Sequence, residues 1–173
     1  MTVRKIITEP DPILRKKCEP IQEVDDILRK LVKDMIETMY KAPGIGLAAI
    51  QLGILKRLVV VDLSKGEEKK PLILINPKIT FRSKKTSTYE EGCLSLPGQF
   101  AEVERPAECH LNYIDFEGKQ MELKADGLLS TCIQHEIDHL NGVLFIDYLS
   151  KLKKTMIIKK LTKQKQSLER VVV

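Results

Sequence analysis

Asp126-Gly127-Leu128-Leu129-Ser130-Thr131-Cys132-Ile133-Gln134-His135-Glu136-Ile137-Asp138-His139-Leu140 reads as a helix with one chemically equipped face. Two of the chain's three histidines, His135 and His139, stand four residues apart. A helix places such residues one turn above each other on a single face. Two neutral imidazoles so placed can grip one metal ion. Glu136 then lies beside the ion but off the line of ligands, where it can take a proton from a bound water. Asp126 is the expected N-cap, and Asn141-Gly142 the expected stop. The pattern H-E-x-x-H points to metal-dependent hydrolysis and leaves the third protein ligand open.

The extended protease pattern needs histidine at 145, where this chain has Phe145; that version fails at the ligand itself. A downstream glutamate ligand is equally poorly supplied, since Glu169 lies in a basic tail and Asp147 is very close to the helix end. Cysteine is the better candidate. Cys132 precedes His135 by three residues and shares its face, but as a ligand it would stretch three donors over about 10 Å of helix rise. A small apolar wall residue is the better reading for it. Cys93, in Glu91-Gly92-Cys93-Leu94-Ser95, comes from a separate segment where Gly92 permits close backbone approach. On the residues alone it has only a modest edge over Cys18 and Cys109.

The rest of the chain bounds the setting. One domain is expected from 173 residues, with 43% hydrophobic residues for a core and 31% charged residues of both signs. The N-terminal MTVRKIITEPDP holds no long apolar run, so the expected location is the cytoplasm, with no membrane and no DNA partner. The four cysteines form no C-x-x-C pair, which argues against a zinc ribbon. The net charge of +5 is uneven: residues 151–170 hold eight basic residues against Glu169 and carry +7, leaving −2 elsewhere.

Asp25 or Asp26 can cap a helix to about Tyr40 whose Ile27, Leu31, Met35 and Met39 would face the core. Arg57–Leu63 and Leu72–Ile75 read as strands around a polar, glycine-containing turn. Tyr89–Pro97 looks too marked by glycine and proline for a plain strand. Cys109–Asp115 and Lys119–Lys124 read as a hairpin around Glu117-Gly118. Leu152, Met156 and Leu161 continue a helical period in the tail. The expected fold is α+β, with antiparallel sheets packed around a central metal-binding helix and a C-terminal helix. Residues 1–150 would form the catalytic domain, and 151–173 a basic helix or tail of that same domain.

Three segments in this order resemble the peptide deformylases: Gly44-Ile45-Gly46-Leu47-Ala48-Ala49-Ile50-Gln51, Glu91-Gly92-Cys93-Leu94-Ser95, and Gln134-His135-Glu136-Ile137-Asp138-His139. Val103, Arg105 and Pro106 also fit. The resemblance runs to about Leu149. It implies an enzyme that removes the formyl group from N-formylmethionyl nascent polypeptides. It assigns Cys93, His135 and His139 to one divalent metal ion, generally ferrous iron, with zinc, nickel and cobalt able to substitute. It makes Glu136 the general base and acid, and Gln51 and the Leu94 backbone N–H the oxyanion donors. Ile45, Leu128 and Cys132 would line the methionine pocket, Gly46 would lend backbone hydrogen bonds to the substrate peptide, and Gly92 would also bind substrate. Glu91 is expected to pair with Arg105 and hold the cysteine loop; a solvated pair of no consequence is the alternative. His110, in a strand without a partner motif, is read as structural. The basic tail is expected to pack as an amphipathic helix, with ribosomal RNA as its candidate partner. A zinc endopeptidase and a non-catalytic, metal-stapled RNA-binding protein are the competing readings.

Overall fold

The computed structural model describes the backbone of residues 2–64 and 68–171, with side chains to residue 167. The elements run α1 (Asp26–Lys41), β1 (Gly46–Ala48), β2 (Leu58–Val61), β3 (Leu72–Arg82), β4 (Thr86–Cys93), β5 (Leu96–Pro106), β6 (Glu108–Ile114), β7 (Gln120–Asp126), α2 (Gly127–Leu140) and α3 (Lys151–Val171). One antiparallel sheet has the order β1-β2-β3-β6-β7, and β4-β5 forms a separate hairpin. The α+β expectation and the central helix hold.

Strand β2 shows why the sheet lies inside. All four residues are buried, and successive side chains point to opposite faces. Val59 and Val61 join Cys132, Ile133, Ile137 and Leu140 of α2. Leu58 and Val60 join Leu28, Leu31, Val32, Met35 and Met39 of α1. The sheet is therefore sandwiched, which places α2 in the interior. A third cluster seats Leu96 and Val103 of the hairpin against Leu144, Phe145, Ile146 and Leu161.

Several local expectations are corrected. Ile27 is 79% exposed, and Leu28 takes its place on the core face. A row of residues four apart turns by about 40° per step around a helix, so the series from 27 to 39 drifts off one face. The same drift acts in α3, where Leu152 and Met156 are exposed while Ile157, Ile158 and Leu161 pack inward. Tyr89–Pro97, by contrast, is as expected no plain strand: it is the end of β4, a turn at Leu94-Ser95 and the start of β5, with a register shift at Gly92/Cys93. Strand β3 continues past Ile75 to Arg82 through Asn76 and Pro77, with register shifts. Asn76 side-chain hydrogen bonds to the backbone of Ile21 compensate the interruption. The polar turn between β2 and β3 passes through Lys65, Gly66 and Glu67, which lie outside the described residues. Asp126 occupies the N-cap of α2 but makes no side-chain capping bond.

Candidate active site

Helix α2 is a buried helix whose polar residues stand where apolar ones would be cheaper. His135, Glu136 and His139 are 8%, 4% and 1% exposed. The end of β4 delivers Cys93 opposite them. The Cys93 sulfur and one ring nitrogen from each histidine lie within 4.8 Å of one another, and the Cys93 Sγ to His139 Nε2 distance is 3.2 Å. One soft sulfur and two imidazole nitrogens on a common point form a donor set suited to a divalent transition metal. Two buried imidazoles facing a half-buried thiol at this distance make the fit. Cys132 stays out of this set. Its sulfur faces the Ile45 carbonyl at 3.9 Å, and burial pushes its thiol well above the ordinary range, with Glu136 and Glu91 adding to the rise.

The supports are asymmetric. His135 Nδ1 meets Glu91 Oε2 at 2.8 Å, which fixes the ring and turns Nε2 toward the cluster. His139 Nδ1 is buried with no hydrogen-bond partner among the described residues. Glu91 is clamped in turn by Arg105, whose Nε and second guanidinium nitrogen donate to its two oxygens at 2.6 and 3.0 Å. Both side chains are at most 5% exposed; the alternative of a solvated pair is overturned. Burial opposes the charged form of Glu91, but the bonds from His135 and Arg105 outweigh it and hold its carboxyl below the usual range. Burial likewise opposes a charged His135, yet Cys93 and Glu91 outweigh it and raise the imidazole. At His139 burial prevails, reinforced by the charge of His135, and keeps the ring neutral.

Glu136 lines the mouth of the cluster with Oε2 buried and unpartnered among the described residues. Burial pushes its carboxyl up to about 7, a rise that His135 opposes and Glu91 reinforces. Gly46 makes room for it: a Cβ there would overlap Glu136 Oε1. Gln51 is 1% exposed. Its Oε1 accepts from the Ala48 N–H at 2.8 Å, which turns Nε2 toward Ser95 Oγ at 3.1 Å and Cys93 Sγ at 3.6 Å.

A cleft of about 420 Å³ opens onto this cluster. Ile45, Gly46, Gly92, Leu94, Leu128 and Cys132 all line it. Leu128 is 45% exposed, so core packing does not account for it. Tyr89, Phe100 and Thr131 line it too and went unnoticed in the sequence. The signal for Phe100 is a pairing that only the fold reveals. It stands opposite Gly92 across the hairpin, where a Cβ on Gly92 would come within 2.5 Å of the ring. His110 lies on β6, outside this cleft, with its ring 4.6 Å from that of Phe81.

Comparison with known proteins places the chain. The family model described as polypeptide deformylase matches residues 3–155. A peptide deformylase of Pelagibacter ubique is 60% identical over 168 residues, spanning 96% of this chain and 98% of that protein. One from Rhizobium meliloti is 58% identical over 164 residues, 94% of each chain. The crystal structure of peptide deformylase from Ehrlichia chaffeensis superposes with a TM-score of 0.92 at 41% identity, covering 96% of this chain and 98% of that one. With a Cys-His-His cluster at the base of an apolar cleft and a match over nearly its whole length, this chain belongs to the polypeptide deformylase family, the metal-dependent enzymes that remove N-terminal formyl groups.

Proposed function

We propose that Cys93, His135 and His139 hold one divalent ion, ferrous iron by family precedent, and that the cleft takes the formylmethionyl end of a nascent chain. The convergence of the three donor atoms from two separated segments is the observation that carries the reading. When bound, the ion supplies Lewis acidity and an acidified water as nucleophile.

The remaining work falls to the chain. Glu136, with one oxygen free and its carboxyl raised to about 7, accepts the proton of the attacking water and passes it to the departing amine. The formyl oxygen gains negative charge as the carbon becomes tetrahedral. Gln51 Nε2, pre-aimed by its bond from Ala48, and the Leu94 backbone N–H donate to that oxygen. Ile45, Leu128 and Cys132 receive the methionine side chain. Gly46 lends backbone hydrogen bonds to the substrate peptide, and Gly92 lines the cleft beside it. Glu91 and Arg105 fix His135. Residues 1–150 carry this chemistry, and 151–173, helical over Lys151–Val171, are a basic tail of the same domain. No helix among the described residues is long and apolar enough to cross a membrane. A cytoplasmic enzyme that meets the ribosome through the exposed lysines of α3 is the setting we infer.

The test is anaerobic purification of the wild type and Cys93→Ala, followed by metal analysis and assays on a formyl-Met-Ala peptide and on a generic protein substrate. The wild type should carry about one ion and deformylate the peptide alone. Full metal occupancy in Cys93→Ala would remove that cysteine from the ligand set, and cleavage of the protein substrate would favour an endopeptidase.

A further inference from the structure

Asp138 sits between the two histidines of α2 and is not one of the converging donors. Its Oδ2 accepts from an Arg105 guanidinium nitrogen at 2.7 Å and from the Tyr148 hydroxyl at 2.8 Å. Tyr148 also lays its ring over the same guanidinium, with Arg105 Cζ 4.6 Å from the ring centroid. One side chain thus contacts both members of the Arg105–Asp138 pair. Tyr148 itself is 51% exposed, whereas Arg105 is 3% exposed. The phenol therefore stands between water and a buried cation. Beyond that cation lie Glu91 and then His135 Nδ1.

We propose that Tyr148 is a positioning residue for the metal centre, acting through Asp138, Arg105 and Glu91 on the ring of His135. That centre has few hydrogen-bonding supports. His139 Nδ1 has no partner among the described residues, and the Glu91 contact is the hydrogen bond that orients the His135 ring. Glu91 Oε2 divides between His135 and Arg105. Arg105 must stay put for Glu91 to present that oxygen correctly. An arginine with two carboxylate partners and an aromatic cover is held in one geometry. Opened to water on one face, it can tilt toward Asp138 and drag Glu91 with it. Asp147, adjacent to Tyr148, is tied to Arg15 at 2.6 Å and to Lys154 of α3. The turn that carries the phenol is thereby anchored to the body and to the C-terminal helix.

The inference rests on the ligand assignment above, and the experiment separates the two. Full-length wild type, Tyr148→Phe and Tyr148→Leu are loaded with cobalt(II). The d–d absorption spectrum, the rate of metal release to a chelator and the thermal midpoint are recorded, with KM and kcat on a formyl-Met peptide. Second-sphere changes of this kind typically cost about 10- to 100-fold in metal affinity or activity. Tyr148→Leu should release metal roughly tenfold faster and shift the cobalt spectrum, with KM unchanged. Tyr148→Phe, which keeps the aromatic cover and loses the bond to Asp138, should fall between it and the wild type. Identical spectra and release rates in all three proteins, with only the thermal midpoint lowered, would reduce Tyr148 to a packing residue. A wild type that binds no cobalt would instead overturn the ligand assignment.

Discussion

Helix α2 buries ten of its fourteen residues, among them Gln134, His135, Glu136 and His139, whereas α3 buries only Leu161 among its described side chains and leaves its lysines, Lys154 apart, in water. A polar group taken out of water costs free energy unless it is partnered, and a buried charge costs far more. The polar content of α2 therefore requires a reason, and its chemistry supplies one. A solvated lysine costs almost nothing, so the basic face of α3 says much less about what it does.

The largest effect should come from Glu136, whose Oε2 is buried at the cleft and unpartnered among the described residues. Glu136→Ala should lower kcat by about 100- to 10,000-fold while metal content stays near that of the wild type. Equal loss of metal and turnover would show that Glu136 is structural, and would break the contrast between the helices. Gln51→Ala tests a buried polar group next to α2. It should cost about 2.7–4 kcal/mol of barrier, read as kcat with KM little changed. A rise in KM alone would make Gln51 a binding group rather than an oxyanion donor.

Asp34 sharpens the contrast from the other side, as a buried carboxylate far from the cleft. It is 1% exposed, accepts from the Thr2 N–H at 2.9 Å and pairs with Arg4 at 2.9 Å. The Arg4 hydrogen bond, aided by the Thr2 N–H, holds its carboxyl below 3.8. A depressed folded value means that its stabilisation is present above 3.8 and is lost as pH falls through and below that value. Asp34→Asn should therefore lose about 1.5 kcal/mol at pH 7 by urea titration, with the gap to the wild type narrowing as pH falls below 3.8 and activity per folded molecule unchanged. The smallest effect belongs to α3. Converting the exposed Lys159, Lys160 and Lys163 to glutamate should alter stability by less than about 0.5 kcal/mol and leave peptide deformylation intact. Co-sedimentation with ribosomes at low salt should fall; if it does not, the tail is a solvated face only.

How much could be read before the fold was known follows the same division. His135, Glu136 and His139 were legible because helical spacing alone puts them together. Cys93 and Gln51 were not, since 42 and 84 residues separate them from His135 along the chain; family resemblance, not spacing, picked them out. Glu91 was read as a partner of Arg105, but its bond to His135 was invisible because it depends on β4 lying across α2. Ile27, Leu152 and Met156 were misplaced for a local reason: on a helix, a few residues of drift turn an inward position outward.

The sequence by itself determined the metal-binding helix, the antiparallel α+β class, the hairpin of β6 and β7, and the basic character of the tail. These depend on periodicity, turn residues and composition, all short-range. Only the tertiary structure decided how closely the Cys93 sulfur meets the histidines, that Arg105 is buried between two carboxylates, and that Phe100 stands over Gly92 at the cleft. Those facts depend on strand register and on the seating of β4 against α2, where small shifts move a donor atom into or out of reach.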